Sequence, residues 1–282
     1  MCEHESLMRQ IHITSVLVAQ VLDIAREAGI AILNVYEEMQ QGGAGAREVW
    51  VTYKADDSPL TQADLQAHQV IAQGLTVLTP DIPVVSEEDA PSLQHRQLRG
   101  DFWLVDPLDG TKEFLAQNGE FTVNIALIRD GRAVLGVVLA PALGQAYWAA
   151  SGLGAFREMD GHVTPIHVAK PVAADEPVRV VASKSHMNEQ TAEFIGQLGP
   201  HALVQAGSSL KFCRVAEGGA DVYPRLGATC EWDTAAAQAI VEAAGGYVSQ
   251  LDGAPLRYGK PQVLNPNFVV SSVPLPDLLK RR

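Results

Sequence analysis

Apolar residues between positions 16 and 36 return on a helical period. Leu17, Val21, Ala25, Ala28, Ile32 and Tyr36 share one stripe, while Asp23, Arg26 and Glu27 fall elsewhere. That pattern predicts an amphipathic helix lying on a core. Gly42-Gly43-Ala44-Gly45 breaks the period, residues 48–54 alternate like an edge strand, and Asp56-Asp57-Ser58-Pro59 reads as a turn, so a mobile loop is expected there. A second helix is predicted from Thr61 to about Leu75, and the short strand 82–85 runs straight into Ser86-Glu87-Glu88-Asp89. The middle of the chain is strand-rich, with runs at 102–105, 121–128 and 133–139. Asp130-Gly131 joins the last two as a hairpin, and 145–149 and 155–158 continue the sheet through a hairpin at Gly152-Leu153-Gly154.

The character changes after a Pro- and Ala-rich stretch at 171–177. Strand 178–182, helix 189–198, a strand, helix 209–217, strand 221–224 and helix 234–244 follow in alternation. Two lobes are expected, residues 1–170 as α+β and 171–282 as α/β. No internal repeat or low-complexity tract interrupts them.

At 282 residues and 47% apolar composition, the chain can bury one large core or two joined ones. Its formal charge of −12 repels polyanions, which disfavours a nucleic-acid polymer as partner without excluding a small phosphorylated ligand in a locally cationic cleft. Cys2, Cys213 and Cys230 are odd in number and scattered, as expected in a reducing compartment, and Cys213 is expected to be a small core residue. The first residues carry acid where a secretory signal carries base, and the most apolar run, 133–144, is too short to cross a bilayer. A cytoplasmic chain with no integral membrane segment is the expectation. Phosphate-binding glycine motifs and histidine pairs with zinc spacing are both missing.

The chemistry concentrates where apolar strands end in acid. In Trp103-Leu104-Val105-Asp106-Pro107-Leu108-Asp109-Gly110-Thr111, Pro107 and Gly110 are expected to shape a tight turn. Asp106, Asp109 and the Leu108 carbonyl would converge there on a hard cation, for which magnesium is the natural choice. Glu87 and Asp233 also stand at element ends, and together the carboxylates would repel one another unless divalent ions balanced them. Each group also has a plain alternative. Asp106 to Gly110 can be ordinary turn chemistry, Asp233 a helix N-cap, Glu87-Glu88-Asp89 a solvated run, and Thr61-Gln62-Ala63-Asp64 a capping box.

Their joint order changes the weighing. Ser86-Glu87-Glu88-Asp89, then Asp106-Pro107-Leu108-Asp109-Gly110-Thr111, then Trp232-Asp233-Thr234-Ala235-Ala236 resembles the inositol monophosphatase superfamily of lithium-sensitive, magnesium-dependent phosphatases. The resemblance spans roughly residues 19–272. Lys54-Ala55-Asp56-Asp57-Ser58-Pro59, the continuation from Asn118 to Asn124, and Gly207-Ser208-Ser209-Leu210-Lys211-Phe212-Cys213 are similar to its bacterial CysQ-type 3′(2′),5′-bisphosphate nucleotidases.

The resemblance implies a layered αβαβα sugar-phosphatase-like fold. It also implies metal at Glu87, Asp106, the Leu108 carbonyl, Asp109 and Asp233, with two or three magnesium ions (Mg2+) as cofactor. Asp64 and Thr111 would orient the attacking water. His186, Gly207, Ser208 and Lys211 would contact a small phosphorylated nucleotide, although Ser208 can equally be an N-cap residue and His186 a surface histidine. The implied reaction removes the 3′-phosphate of adenosine 3′,5′-bisphosphate, clearing a by-product of sulfate assimilation, with peripheral attachment to the inner membrane as a further implication. An inositol or sugar monophosphatase is the near rival, and a silent nucleotide-binding protein the distant one.

Overall fold

The computed structural model describes residues 11–42, 51–53, 59–97, 99–173, 176–182 and 188–280. The expected loop at 42–58, apart from residues 42 and 51–53, the extension before residue 11, Cys2 and His186 lie outside them.

Helix α1 (Ser15–Gly42) turns the expected stripe inward, with Leu17, Val21, Ala25, Ala28, Ile32 and Tyr36 all buried. It outruns the expected end because Met39 continues the buried face and the glutamates and glutamines around it favour helix. Strands β1 (Val51–Tyr53) and β2 (Pro59–Thr61) form a small antiparallel pair before α2 (Gln62–Leu78). The N-terminus of α2 is closed by the Thr61–Asp64 capping box: the Asp64 carboxylate accepts from Thr61 N at 2.7 Å, and Asp64 N donates to Thr61 Oγ1 at 3.4 Å.

Seven strands make the larger sheet in strict chain order: β3 (Val84–Ser86), β4 (Asp101–Asp109), β5 (Thr122–Arg129), β6 (Arg132–Ala140), β7 (Gln145–Ala150), β8 (Gly154–Met159) and β9 (His162–Pro165). Only the β3–β4 pairing is parallel. At the β5–β6 turn, Asp130 and Gly131 take φ of 50° and 74°, the left-handed pair that a two-residue hairpin requires. The second sheet, ordered β11 (His201–Gln205), β10 (Val178–Ala182), β12 (Val222–Arg225), β14 (Phe268–Ser271) and β13 (Tyr247–Gln250), is mixed. Strands β9, β13 and β14, of four residues each, are not in the sequence reading.

Helices complete five layers. α1 and α2 cover the outer face of the large sheet, their apolar stripes meeting Trp103, Val105 and Val137. Between the sheets lie α5 (Leu210–Ala216) and α6 (Ala235–Ala243), while α4 (Glu189–Gln197) and α7 (Leu275–Leu279) cover the far side of the second sheet. A short helix α3 (Thr111–Leu115) follows β4. The order αβαβα is as expected. Helix α6 is buried nearly all round, which explains its alanines: small side chains let it sit close to both sheets. Among the described residues, no helix is long and apolar enough to cross a membrane.

Candidate metal centre

The site begins with an irregular strand rather than the expected turn. β4 continues through Asp109, but its register against β5 shifts between Asp106, opposite Asn124, and Asp109, opposite Thr122. In a regular strand residues three apart face opposite sides; one extra residue here places both aspartates opposite same-side neighbours. Pro107, with no N–H for the ladder, falls in the irregularity, and Leu108 N donates to Asp106 Oδ1 at 3.1 Å while the Leu108 side chain enters the core. The reversal comes one residue later, at Gly110 with φ of 92°, where a Cβ would lie 2.0 Å from Ser208 Oγ.

Glu87 follows β3, whose parallel register sets Ser86 beside Val105, and Glu87 N donates to the Val105 carbonyl at 3.1 Å. It therefore emerges next to Asp106. Asp233 arrives from the second half, on the short segment before α6, with its Oδ2 accepting from Cys230 N at 2.7 Å. Thr234, not Asp233, is the N-cap residue of α6, so the N-cap alternative for Asp233 does not hold. Oxygens of Glu87, Asp106 and Asp233 lie within 4.8 Å of one another. The Asp109 carboxylate accepts from Ser209 Oγ at 2.9 Å.

Burial pushes the Asp106 carboxyl well above the ordinary aspartate range, and the charges of Glu87, Asp109 and Asp233 push it further. Asp233 is raised for the same reasons, burial first and Asp109 next. Such mutual repulsion among oxygen donors is relieved by a hard divalent cation, and the donor set fits magnesium.

Asp64 is buried, with Oδ2 also accepting from Thr61 Oγ1 at 2.5 Å, so the capping role is realised. Strand β2 packs against α3, which brings the start of α2 beside the helix that Thr111 opens. The serines before α5 bind the protein itself. Ser208, in a left-handed conformation with φ of 45°, has Oγ 2.9 Å from the Asp109 carbonyl and 2.8 Å from the Glu120 carbonyl. Ser209 Oγ lies 2.9 Å from the Asp233 carbonyl and accepts from Asn124 Nδ2 at 2.9 Å, joining β5 to both acidic segments. Gly207 leaves no room for a side chain, since a Cβ would approach the Glu120 carbonyl to 2.8 Å. Neither Asn124 nor Ser209 is marked in the sequence by anything beyond its place in the motif.

A cleft of about 140 Å³ opens beside the carboxylates, lined among others by Asp109, Glu113, Lys211, Tyr223, Arg225 and Asp233. Lys211 Nζ sits 5.9 Å from the centre of the Tyr223 ring. Burial pulls its ammonium below the ordinary lysine range, against the opposing influence of Asp109 and Glu113. Arg225 gives one N–H to the Ala228 carbonyl at 3.0 Å, and its buried Nε has no partner among the described residues. Two cations facing a carboxylate cluster make a cleft suited to anionic oxygens bridged through metal. Arg225 is absent from the sequence-derived set because nothing in its local sequence distinguishes it from a surface arginine.

A family model described as the inositol monophosphatase family matches residues 15–280. A Salmonella typhimurium protein named 3′(2′),5′-bisphosphate nucleotidase CysQ is 50% identical over 256 residues, covering 90% of this chain and 99% of that protein. The similarly named protein of Escherichia coli O157:H7 is 51% identical over 253 residues, covering 89% and 98%. Among solved structures, CysQ from Bacteroides thetaiotaomicron superposes with a TM-score of 0.77 at 39% identity, covering 91% of this chain and 97% of that one.

Proposed function

Because the chain belongs to the inositol monophosphatase family, we propose that it is a magnesium-dependent 3′(2′),5′-bisphosphate nucleotidase, hydrolysing adenosine 3′,5′-bisphosphate to AMP and phosphate. The observation that carries this reading is the convergence of Glu87, Asp106 and Asp233 oxygens within 4.8 Å, with Asp233 also lining a cleft that holds Lys211 and Arg225. Glu87, Asp106, the Leu108 carbonyl, Asp109 and Asp233 are the proposed ligands of two or three magnesium ions. When bound, such ions lower the pKa of water and neutralise charge on a phosphoryl group.

Thr111 and Asp64 orient the attacking water in this reading, and the carboxylate takes its proton, so that no phosphoenzyme is needed. The capping bonds from Thr61 N and Thr61 Oγ1 both reach Oδ2 of this carboxylate. Lys211, Arg225 and His186 balance substrate phosphate charge, while Gly207 and Ser208 shape the wall against which the nucleotide rests. Ser208 does so by holding the Asp109–Gly110 turn. Lithium inhibition, a cytoplasmic setting and a role in clearing a sulfate-assimilation by-product belong to the same proposal.

Phosphate release from adenosine 3′,5′-bisphosphate, inositol 1-phosphate and fructose 1,6-bisphosphate, each with and without magnesium, tests it. The bisphosphate nucleotide should be preferred and magnesium required. Preference for inositol 1-phosphate would shift the reading to the near relatives, and no release from any substrate would reject catalysis.

A further inference from the structure

Glu87 and Asp233 stand far apart in the sequence, yet a second connection joins their segments behind the acidic cluster. The Glu231 side chain is fully buried, two residues before Asp233. Its carboxylate accepts from Gly259 N at 3.0 Å, Lys260 N at 3.1 Å, Lys260 Nζ at 2.5 Å and Arg96 Nη1 at 3.4 Å. Arg96, with its side chain only 8% exposed, also donates to the carbonyls of Lys260 at 3.1 Å and Pro261 at 3.4 Å.

Arg96 comes from the segment that carries Glu87, which is folded tightly on itself. Ser92 Oγ donates to the Asp89 carbonyl at 2.6 Å and accepts from Ser86 N at 3.1 Å, and Arg96 N donates to the Leu93 carbonyl at 3.2 Å. On the other side, the Glu231 carbonyl lies at the start of α6, accepting from Ala235 N at 3.1 Å and from Thr234 Oγ1 at 3.2 Å. A displacement of either end of the ion pair would thus be passed to the adjoining carboxylate. A buried pair of this kind is costly to break because it leaves charge uncompensated, which suits it to fixing geometry.

We propose that Arg96 and Glu231 are positioning residues that clasp the Glu87 and Asp233 segments together, and so set the affinity for the divalent ion that Asp233 helps to hold. This rests on the reading of Glu87, Asp106 and Asp233 as metal ligands. Neither residue needs to touch substrate. The clasp acts on where Asp233 sits relative to the carboxylates of the first sheet.

Manganese binding followed by electron paramagnetic resonance on the full chain, without substrate, tests this in wild type, Arg96→Met and Arg96→Lys. Arg96→Met fills the volume but removes the link, and the weakest manganese site should lose affinity about 10-fold to 100-fold. Half-saturating magnesium for phosphate release should rise in parallel, with kcat at saturating metal much less affected. Arg96→Lys keeps the charge but cannot span Glu231 and two carbonyls together, so it should recover affinity only in part. Near-ultraviolet circular dichroism checks folding, and Arg96→Lys carries the test if Arg96→Met does not fold. A folded variant with wild-type manganese affinity, even one of lowered Tm, would overturn the clasp. A wild-type chain that binds no manganese would instead overturn the ligand assignment beneath it.

Discussion

Asp106 is held in a surrounding that disfavours its charge: buried, with Glu87, Asp109 and Asp233 all repelling it. Its carboxyl therefore keeps a proton to higher pH in the folded chain than in the unfolded one, and Asp233 does the same. The folded state then binds more protons than the unfolded state above the ordinary aspartate range, so stability falls as pH rises through that window. In chelator-treated protein Tm should drop as pH rises above the ordinary aspartate range from these two groups, as a thermal scan series would reveal. Asp106→Asn removes one of the repelling charges. It should flatten this dependence while lowering turnover by about two orders of magnitude or more; near-normal turnover would remove Asp106 from the mechanism. Sites built from like charges are weak points of a fold, and the same residue is then stabilising to replace and costly to lose.

Elements decide how closely these residues meet. The β4 irregularity at Pro107 turns Asp106 and Asp109 toward the same side, and parallel pairing of β3 with β4 adds Glu87 beside them. Asp233 depends on α6, whose approach to the large sheet is set by Gly136: a Cβ there would lie 2.1 Å from the Ala236 carbonyl. Gly136→Ala should wedge β6 and α6 apart, costing about 3 kcal/mol in chemical denaturation, at the upper end for overpacking. Magnesium activation should weaken with it, since Asp233 precedes that helix. Wild-type stability in this variant would mean that the close approach is not maintained in solution. The helical stripe of α1 and the Asp130-Gly131 turn were legible because they rest on local periodicity and backbone preference. The bulge was not, because Pro107 and Gly110 are equally good residues for an ordinary turn.

Across the whole molecule, the first sheet supplies Glu87, Asp106 and Asp109, and the second half brings Asp233, Lys211 and Arg225 to meet them. Ions bound at that junction stabilise only the assembled state, so magnesium at about a hundred times its Kd should contribute about 2.7 kcal/mol. The corresponding rise in Tm is roughly 5 °C or more for a chain of this size, larger at about pH 8 than at about pH 5 because protons compete for the same oxygens. Magnesium that leaves Tm unchanged at both pH values would count against ligands drawn from both halves.

Amphipathic periods and turn residues are properties of neighbouring positions, so the longer helices and the main strands could be read from the chain alone, while the layered class came from the resemblance that the order of acidic motifs carries. Whether Ser209 would bind the Asp109 carboxylate and whether Arg96 would be drawn inward to Glu231 depended on partners a hundred or more residues distant. Only the packing of one sheet against the other through α5 and α6 selected those partners, because burial, not local sequence, determines which charges must find one another.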